Sequence, residues 1–293
     1  MTASLIHLTC VFVVTLQQPA ASTPIDWKQV DHALGRSGNL QGETYRVGFP
    51  RSDLRVMVGR IAVKPALALG SWVAFKQTSD SMAMLMGDVV LLETEVGPVI
   101  DALQKGGIEQ TALHNHLVGE SPHVVYLHIG GRGRPGALAG AVHDALAPTA
   151  TPAAAAPAAT TPLDLDTAQI AGILGAHGRV NGGVYQLSLA RATPVMLDSV
   201  EVPPAMGVAT AINFESTGAS TAAVTGDFVL IATEVNPVLR ALRAHDIQVT
   251  ALHSHMLGET PRLLFMHFWG AGDAGQLARG LRAALDEVNI KRP

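Results

Sequence analysis

The chain has 293 residues, 48% of them hydrophobic and 15% charged, with a formal net charge of -4 at pH 7. That length and apolar content suit a globular protein of two ordinary domains. The slight negative charge supplies no field for holding nucleic acid, no long basic run stands out, and aromatics at 4% leave few flat surfaces for stacking bases or sugars.

In chain order, Leu5 to Leu16 is mostly apolar yet shorter than a membrane span, and it leads into Gln17-Gln18-Pro19 and the small residues Ala20-Ala21-Ser22. Residues 1–22 are read as a signal peptide cleaved near Ser22, although Met1 to Ser4 carry no Lys or Arg. The expectation is an exported protein, periplasmic or extracellular, with no transmembrane segment in the mature chain. Cys10 lies too early for an ordinary lipoprotein anchor, and Thr9 stands where such signals want Gly or Ala, so a lipid anchor is not favoured. Without that segment the chain has no cysteine, hence neither disulfides nor thiolate ligands.

Asp26 to Gly35 has the apolar spacing of a helix, with Gly35 as its stop. Tyr45 to Phe75 contains alternating and β-branched runs that read as strands, and Asp88 to Glu95 reads as a further buried strand. Pro98 suits the first turn of a helix ending near Gly106. Thr111 to Val118 and Pro122 to Ile129 form a hairpin that turns through Gly119-Glu120-Ser121. The run from Gly130 to Gly136 reads as a turn before the last helix, with anion binding as the lesser alternative.

Ala147 to Pro162 is entirely Ala, Pro and Thr, a semi-extended linker. The pattern then starts again. Leu165 to Gly175 is helical, Tyr185 to Phe214 and Asp227 to Glu234 read as strands, and Asn236-Pro237 reads as an N-cap and first turn of a helix ending near Asp246. Asp273 is expected to cap the final helix. Thr94-Glu95-Val96 recurs as Thr233-Glu234-Val235 and Thr111-Ala112-Leu113 as Thr250-Ala251-Leu252, at an offset of 139 residues (253 minus 114 for the first histidines). Roughly half the positions from Gly87 to Leu146 match, so a whole domain is duplicated. The boundaries read 24–146 and 163–293, with the linker at 147–162.

The duplication carries chemistry. His114, His116 and His128 recur as His253, His255 and His267, six of the twelve histidines. Residues two apart in a strand share a face, so His114 and His116 project together, and the hairpin brings His128 opposite or diagonal to His114. The paired register also sets Tyr126, which is Phe265 in the second copy, opposite His116. Three neutral imidazoles with an open position are a ligand set for a divalent transition metal, zinc or copper first. His114, His116 and His128 would form one site and His253, His255 and His267 a second; pseudo-twofold packing could instead build one shared site. The alternatives are a metal-dependent hydrolase with Glu120 or Glu259 as general base, and a structural or ligand-binding module whose histidines knit the hairpin.

Glu120 and Glu259 read first as turn residues. H-x-H followed by Glu is similar to the first cupin metal motif, but no second such motif follows and helices alternate with strands. Glu95 and Glu234 could orient a histidine, or bond helix-start amides. His123 and His143 have no counterpart histidine and read as surface residues.

Gly87-Asp88-Val89-Val90-Leu91, Thr94 to Val99, Thr111 to Leu117 and Gly119-Glu120-Ser121-Pro122 resemble the LppY/LpqO family of bacterial lipoproteins. The resemblance covers nearly all of both copies. It implies export and a domain of unknown function, and it carries over no substrate or catalytic residue. The fold expected is α+β, two homologous domains, each an antiparallel sheet with helices packed on one face.

Overall fold

The computed structural model describes residues 23–153 and 163–291. The proposed signal peptide, with Cys10, and linker residues 154–162 lie outside the described residues.

The first copy runs through α1 (Lys28–Leu34), β1 (Asn39–Gln41), β2 (Thr44–Pro50), β3 (Met57–Val58), β4 (Ile61–Ala62), β5 (Gly70–Gln77), β6 (Ala83–Leu92), α2 (Glu93–Lys105), β7 (Glu109–His114), β8 (Glu120–Ser121), β9 (Val124–Gly133) and α3 (Pro135–Leu146). The second repeats it as α4 (Thr167–Leu174), β10 (Arg179–Asn181), β11 (Val184–Ala190), β12 (Val195–Leu197), β13 (Val200–Val202), β14 (Ala209–Gly218), β15 (Thr221–Leu230), α5 (Ala232–Ala244), β16 (Gln248–His253), β17 (Leu264–Asp273) and α6 (Ala274–Leu285). Each copy is built on an antiparallel six-stranded sheet, ordered β1-β2-β5-β6-β9-β7 and β10-β11-β14-β15-β17-β16. No helix among the described residues is long and apolar enough to cross a membrane.

Helices cover one face of each sheet, as the α+β reading requires. In the first copy Leu85, Val89 and Leu91 of β6 pack with Leu127 and Ile129 of β9 against Val30 of α1, Val99 of α2 and Val142 of α3. The alternate residues of β6 are buried too, because the second copy's sheet lies against that face. Met84 and Met86 share a cluster with Val202, Met206 and Phe265, and Val90 and Tyr126 share another with Val184, Ala223 and Trp269. Strand β6 is therefore apolar on both faces, with a single ionisable residue at its centre, Asp88. The two sheets are buried face to face, with helices outermost on both sides.

Helix starts differ from the sequence reading. α2 begins five residues before Pro98, and α5 five before Pro237, so Asn236 is inside a helix and caps nothing. The start is set by Glu95, whose carboxylate accepts from Leu92 N at 2.8 Å, and by Glu234, which does the same for Ile231 N. Arg51, fully buried, holds Glu95 through both Nη atoms at 2.8 and 3.0 Å and also donates to Val90 O. Arg191 repeats this with Glu234 and Val229 O. These glutamates are thus held in helix starts, and the prolines are tolerated inside at the loss of one backbone hydrogen bond each.

The hairpin is also longer than expected. β9 pairs with β6 as far as Gly133 opposite Ala83, so Gly130 to Gly133 is strand and not a turn. The segment after His114 leaves β9 because Glu120 and Ser121 pair with Val58 and Met57 of β3. In the second copy a bridge between Thr260 and Met196 does the same. Gly35 and Gly175 end α1 and α4 at φ 63° and 68°, and Asp273 caps α6 by accepting from Gln276 N, as read from sequence.

Glu95→Ala would leave the fully buried Arg51 cation with Asp53, which it also bonds at 2.9 Å, as its one remaining carboxylate among the described residues, and would remove the acceptor for Leu92 N; the expected loss of unfolding stability is about 3–5 kcal/mol, measured by denaturant melts. A loss below about 1 kcal/mol, the value of an exposed pair, would show that this ion pair does not anchor the helix.

Candidate metal centre

All six repeated histidines meet between the two sheets. His114 and His253 stack across the boundary between the copies with ring centroids 3.6 Å apart. On either side, His128 lies 3.6 Å from His255 and His116 lies 3.9 Å from His267. Each of these pairs joins one residue from each copy, and exchanging the copies converts the second pair into the third. A pseudo-twofold axis therefore passes between His114 and His253.

A β-bulge in each edge strand fixes this arrangement. The register of β7 on β9 shifts between Gln110 and Ala112, and that of β16 on β17 between Val249 and Ala251. The bulged threonines cross to the other copy: Thr111 Oγ1 donates to His255 O and Thr250 Oγ1 donates to His116 O, each at 2.6 Å. Beyond the bulge, His128 pairs with Ala112 and Tyr126 with His114, so His128 is diagonal to His114 and the directly paired register does not form. His116 and His255 lie past the strand ends, stacked flat on Tyr126 at 3.5 Å and Phe265 at 3.3 Å.

Two aspartates complete the cluster, and the sequence reading missed them as site residues. Asp88 pairs with His128 across β6 and β9, and Asp227 pairs with His267 across β15 and β17. Asp88 Oδ2 lies 3.4 Å from His116 Nε2, and Asp227 Oδ2 lies 3.5 Å from His255 Nε2. The available signal was an ionisable residue repeated inside a buried strand that is otherwise apolar in the first copy and otherwise free of charge in the second. The glycine before each aspartate lets the strands approach closely: a Cβ at Gly226 would lie 1.9 Å from Ala211 O.

The donor atoms form four groups of three among the described residues. His114, His253 and His267 bring ligand atoms within 4.8 Å of one another, as do His128, His253 and His255. Asp88 with His114 and His128, and Asp227 with His255 and His267, do likewise. Two of the four groups join the copies, the other two each lie within one copy, and among the described residues His116 belongs to none of them.

Orientation favours ligation. His128 Nδ1 lies 3.2 Å from Gly87 O and His267 Nδ1 lies 3.0 Å from Gly226 O. Each carbonyl can only accept, which assigns the proton to Nδ1 and leaves the Nε2 lone pair free. Among the described residues, the Nε2 atoms of all six histidines are buried without a hydrogen-bond partner, as are Asp88 Oδ1 and Asp227 Oδ1.

Burial governs the charges. It lowers the pKa of every one of these histidines, with the neighbouring imidazoles adding to the effect at His114, His116, His128, His255 and His267; His253 falls to about 4 and His267 to about 3. Burial also raises Asp88 to about 7, opposed by the Arg46 cation, and pushes Asp227 well above the carboxylate range, with Asp88 adding to the rise. The imidazoles are accordingly neutral at pH 7, the form that ligates metal.

Glu120 and Glu259 take part in no ligand group among the described residues and serve their loops. Glu120 accepts from Val124 N and pairs with His123 Nδ1 at 2.6 Å; Glu259 accepts from Leu263 N at 2.8 Å and from Arg262 Nη1 at 3.2 Å. His123, read as a surface residue, is part-exposed and has Arg262 as its counterpart in the loop clasp. His143 is exposed.

The profile of the family described as Domain of Unknown Function (DUF1259) matches residues 28–148 and 168–287, and the chain belongs to that family, carrying its domain twice. No curated relative matches the chain. Among solved structures, the double ringed trimeric shell protein of the RMM microcompartment is 14% identical over 71% of this chain and 83% of its own, with a TM-score of 0.20. The trimeric microcompartment shell protein PduB is 13% identical over 86% and 93%, with a TM-score of 0.21. Scores this low carry no argument.

The metal-free protein should be acid-labile. A histidine with a depressed folded-state pKa contributes stability that is present above its ordinary 6.5 and lost as pH falls through the folded value, about 4 for His253 and about 3 for His267. Asp88 has the opposite sign, its contribution being present below the ordinary 3.8 and lost as pH rises through about 7. Six histidines outweigh two aspartates, so denaturant midpoints are expected to fall from pH 6.5 to pH 4.5. A flat profile over that span would show the imidazoles free to protonate in the folded state.

Proposed function

We propose that this chain binds a divalent transition metal, zinc or copper, in one centre shared by its two copies. The observation that carries the reading is a cluster of six buried histidines whose Nε2 atoms have no hydrogen-bond partner among the described residues. A buried nitrogen left unpaired costs about 1–3 kcal/mol, and six together are a large penalty unless something binds them. A divalent cation accepts several lone pairs at once and compensates the buried aspartates, which two stacked neutral rings cannot do for each other.

The ligand set of nitrogen and carboxylate oxygen suits zinc, copper, nickel or iron, and excludes a preference for calcium or magnesium. The purely structural alternative predicts imidazoles hydrogen-bonded to acceptors of the protein; among the described residues only His128 and His267 have hydrogen bonds to elements outside the hairpin loops, and both use Nδ1. A hydrolase using Glu120 or Glu259 as general base is less favoured, since neither carboxylate joins a ligand group among the described residues. Our reading further keeps the LppY/LpqO resemblance, export to the periplasm or the extracellular space, and the boundaries 24–146 and 163–293 around the linker 147–162. The ligands are His114, His116, His128, His253, His255 and His267, with Asp88 and Asp227 added.

Elemental analysis of untagged protein purified without chelator, followed by zinc and copper titration, tests this. Tightly held metal is expected, and no uptake even after titration would overturn the reading. His114→Ala with His116→Ala separates shared from independent sites: a shared centre loses more than half of the bound metal, whereas independent sites would retain half.

A further inference from the structure

The two sides of the centre are not equivalent, and the difference is concentrated in one oxygen on each of two side chains. Tyr126 and Phe265 occupy matching places and do the same packing work: each ring lies flat on an H-x-H histidine, both at an interplanar angle of 10°. Both rings are fully buried. The phenol oxygen adds nothing to that packing. It has no hydrogen-bond partner among the described residues, and phenylalanine at the second position shows that the stack does not need it.

Glu120 and Glu259 differ in the same sense. Both oxygens of Glu259 are engaged, Oε1 by Leu263 N and Oε2 by Arg262 Nη1 and Gly258 N. Glu120 instead takes both of its partners, His123 and Val124 N, on Oε1, and its Oε2 is buried with none. The first-copy side therefore presents a free donor and a free acceptor, both out of water, where the second-copy side presents a hydrocarbon edge and a fully bonded carboxylate.

We propose that the first-copy side of the centre is the side that accepts an exogenous ligand, with the Tyr126 O–H as its hydrogen-bond donor. The ligand class is a small oxygen donor, water or hydroxide first, on a metal held by the first-copy group of Asp88, His114 and His128; it accepts from Tyr126, and Glu120 Oε2 offers an acceptor for its own O–H. The second-copy side, closed by Phe265 and Glu259, holds its metal ligands without such a guest. This inference rests on the metal reading above. Tyr126 is a ligand-positioning residue in it, and no bond is made or broken.

The test uses copper-loaded full-length protein with azide as the exchangeable ligand, followed by its charge-transfer absorption. Tyr126→Phe is expected to keep the copper content of the wild type and to weaken azide binding by about tenfold or more, the effect of one hydrogen bond to a charged acceptor. Thermal unfolding of the metal-free variant should be no lower than that of the wild type, because the phenol lacks a protein partner. Azide affinity within twofold of wild type at equal copper content would overturn this inference alone, as would a metal-free variant that is markedly less stable. A wild-type protein that takes up no copper would overturn both this inference and the metal reading.

Discussion

The desolvation of eight titratable side chains between two sheets is the constraint on which the rest of this structure depends. Six imidazoles and two carboxylates sit where apolar clusters flank them on both sides, built from Met84, Met86, Val202 and Phe265 on one and from Val90, Tyr126, Ala223 and Trp269 on the other. Polar groups in such a place are stable only when paired or when they bind something. The surrounding scaffold meets this demand in part. Backbone carbonyls of Gly87 and Gly226 fix one nitrogen of His128 and His267, and threonine hydroxyls from the opposite copy fix the loops that carry His116 and His255.

Rigidity of the layers makes that placement reproducible. Buried Arg51 and Arg191 tie the end of one strand to the start of a helix through Glu95 and Glu234, and the helix packs on the sheet that carries the aspartate. The same contacts in both copies give two near-identical halves. Across the pseudo-twofold axis, Arg46 Nη1 donates to Ala205 O and Gln186 Nε2 donates to Ala66 O, so even a change of residue type conserves the crossing hydrogen bond. The change is not neutral in charge, however. Arg46 stabilises the Asp88 carboxylate, and Gln186 offers Asp227 no cation. This inequality has the same direction as the Tyr126 and Phe265 difference: the first copy supplies the more polar side of the centre.

Much of this was legible in the sequence because it depends on local pattern. The duplication, the helix stops at Gly35 and Gly175, the Asp273 cap and the candidate histidines follow from spacing and residue type alone. Local patterns misled where a distant partner decided the outcome. Pro98 and Asn236 have the residue types of a helix start, but Glu95 and Glu234, held by arginines more than forty positions away, begin the helices earlier. Gly130 to Gly133 has the composition of a turn, but pairing with β6 keeps it extended.

By itself the sequence determined that a domain occurs twice, that each copy offers His-x-His and a third histidine on one face of a hairpin, and that the fold is α+β, because periodicity and self-similarity survive without coordinates. Only the tertiary structure decided which histidines are neighbours. Strand periodicity assigns a side chain to a face, but it does not say what covers that face. Here the cover is the other copy, so two of the four ligand groups form across the axis, Asp88 and Asp227 enter the centre, and Tyr126 becomes distinct from Phe265 through the partners its oxygen lacks.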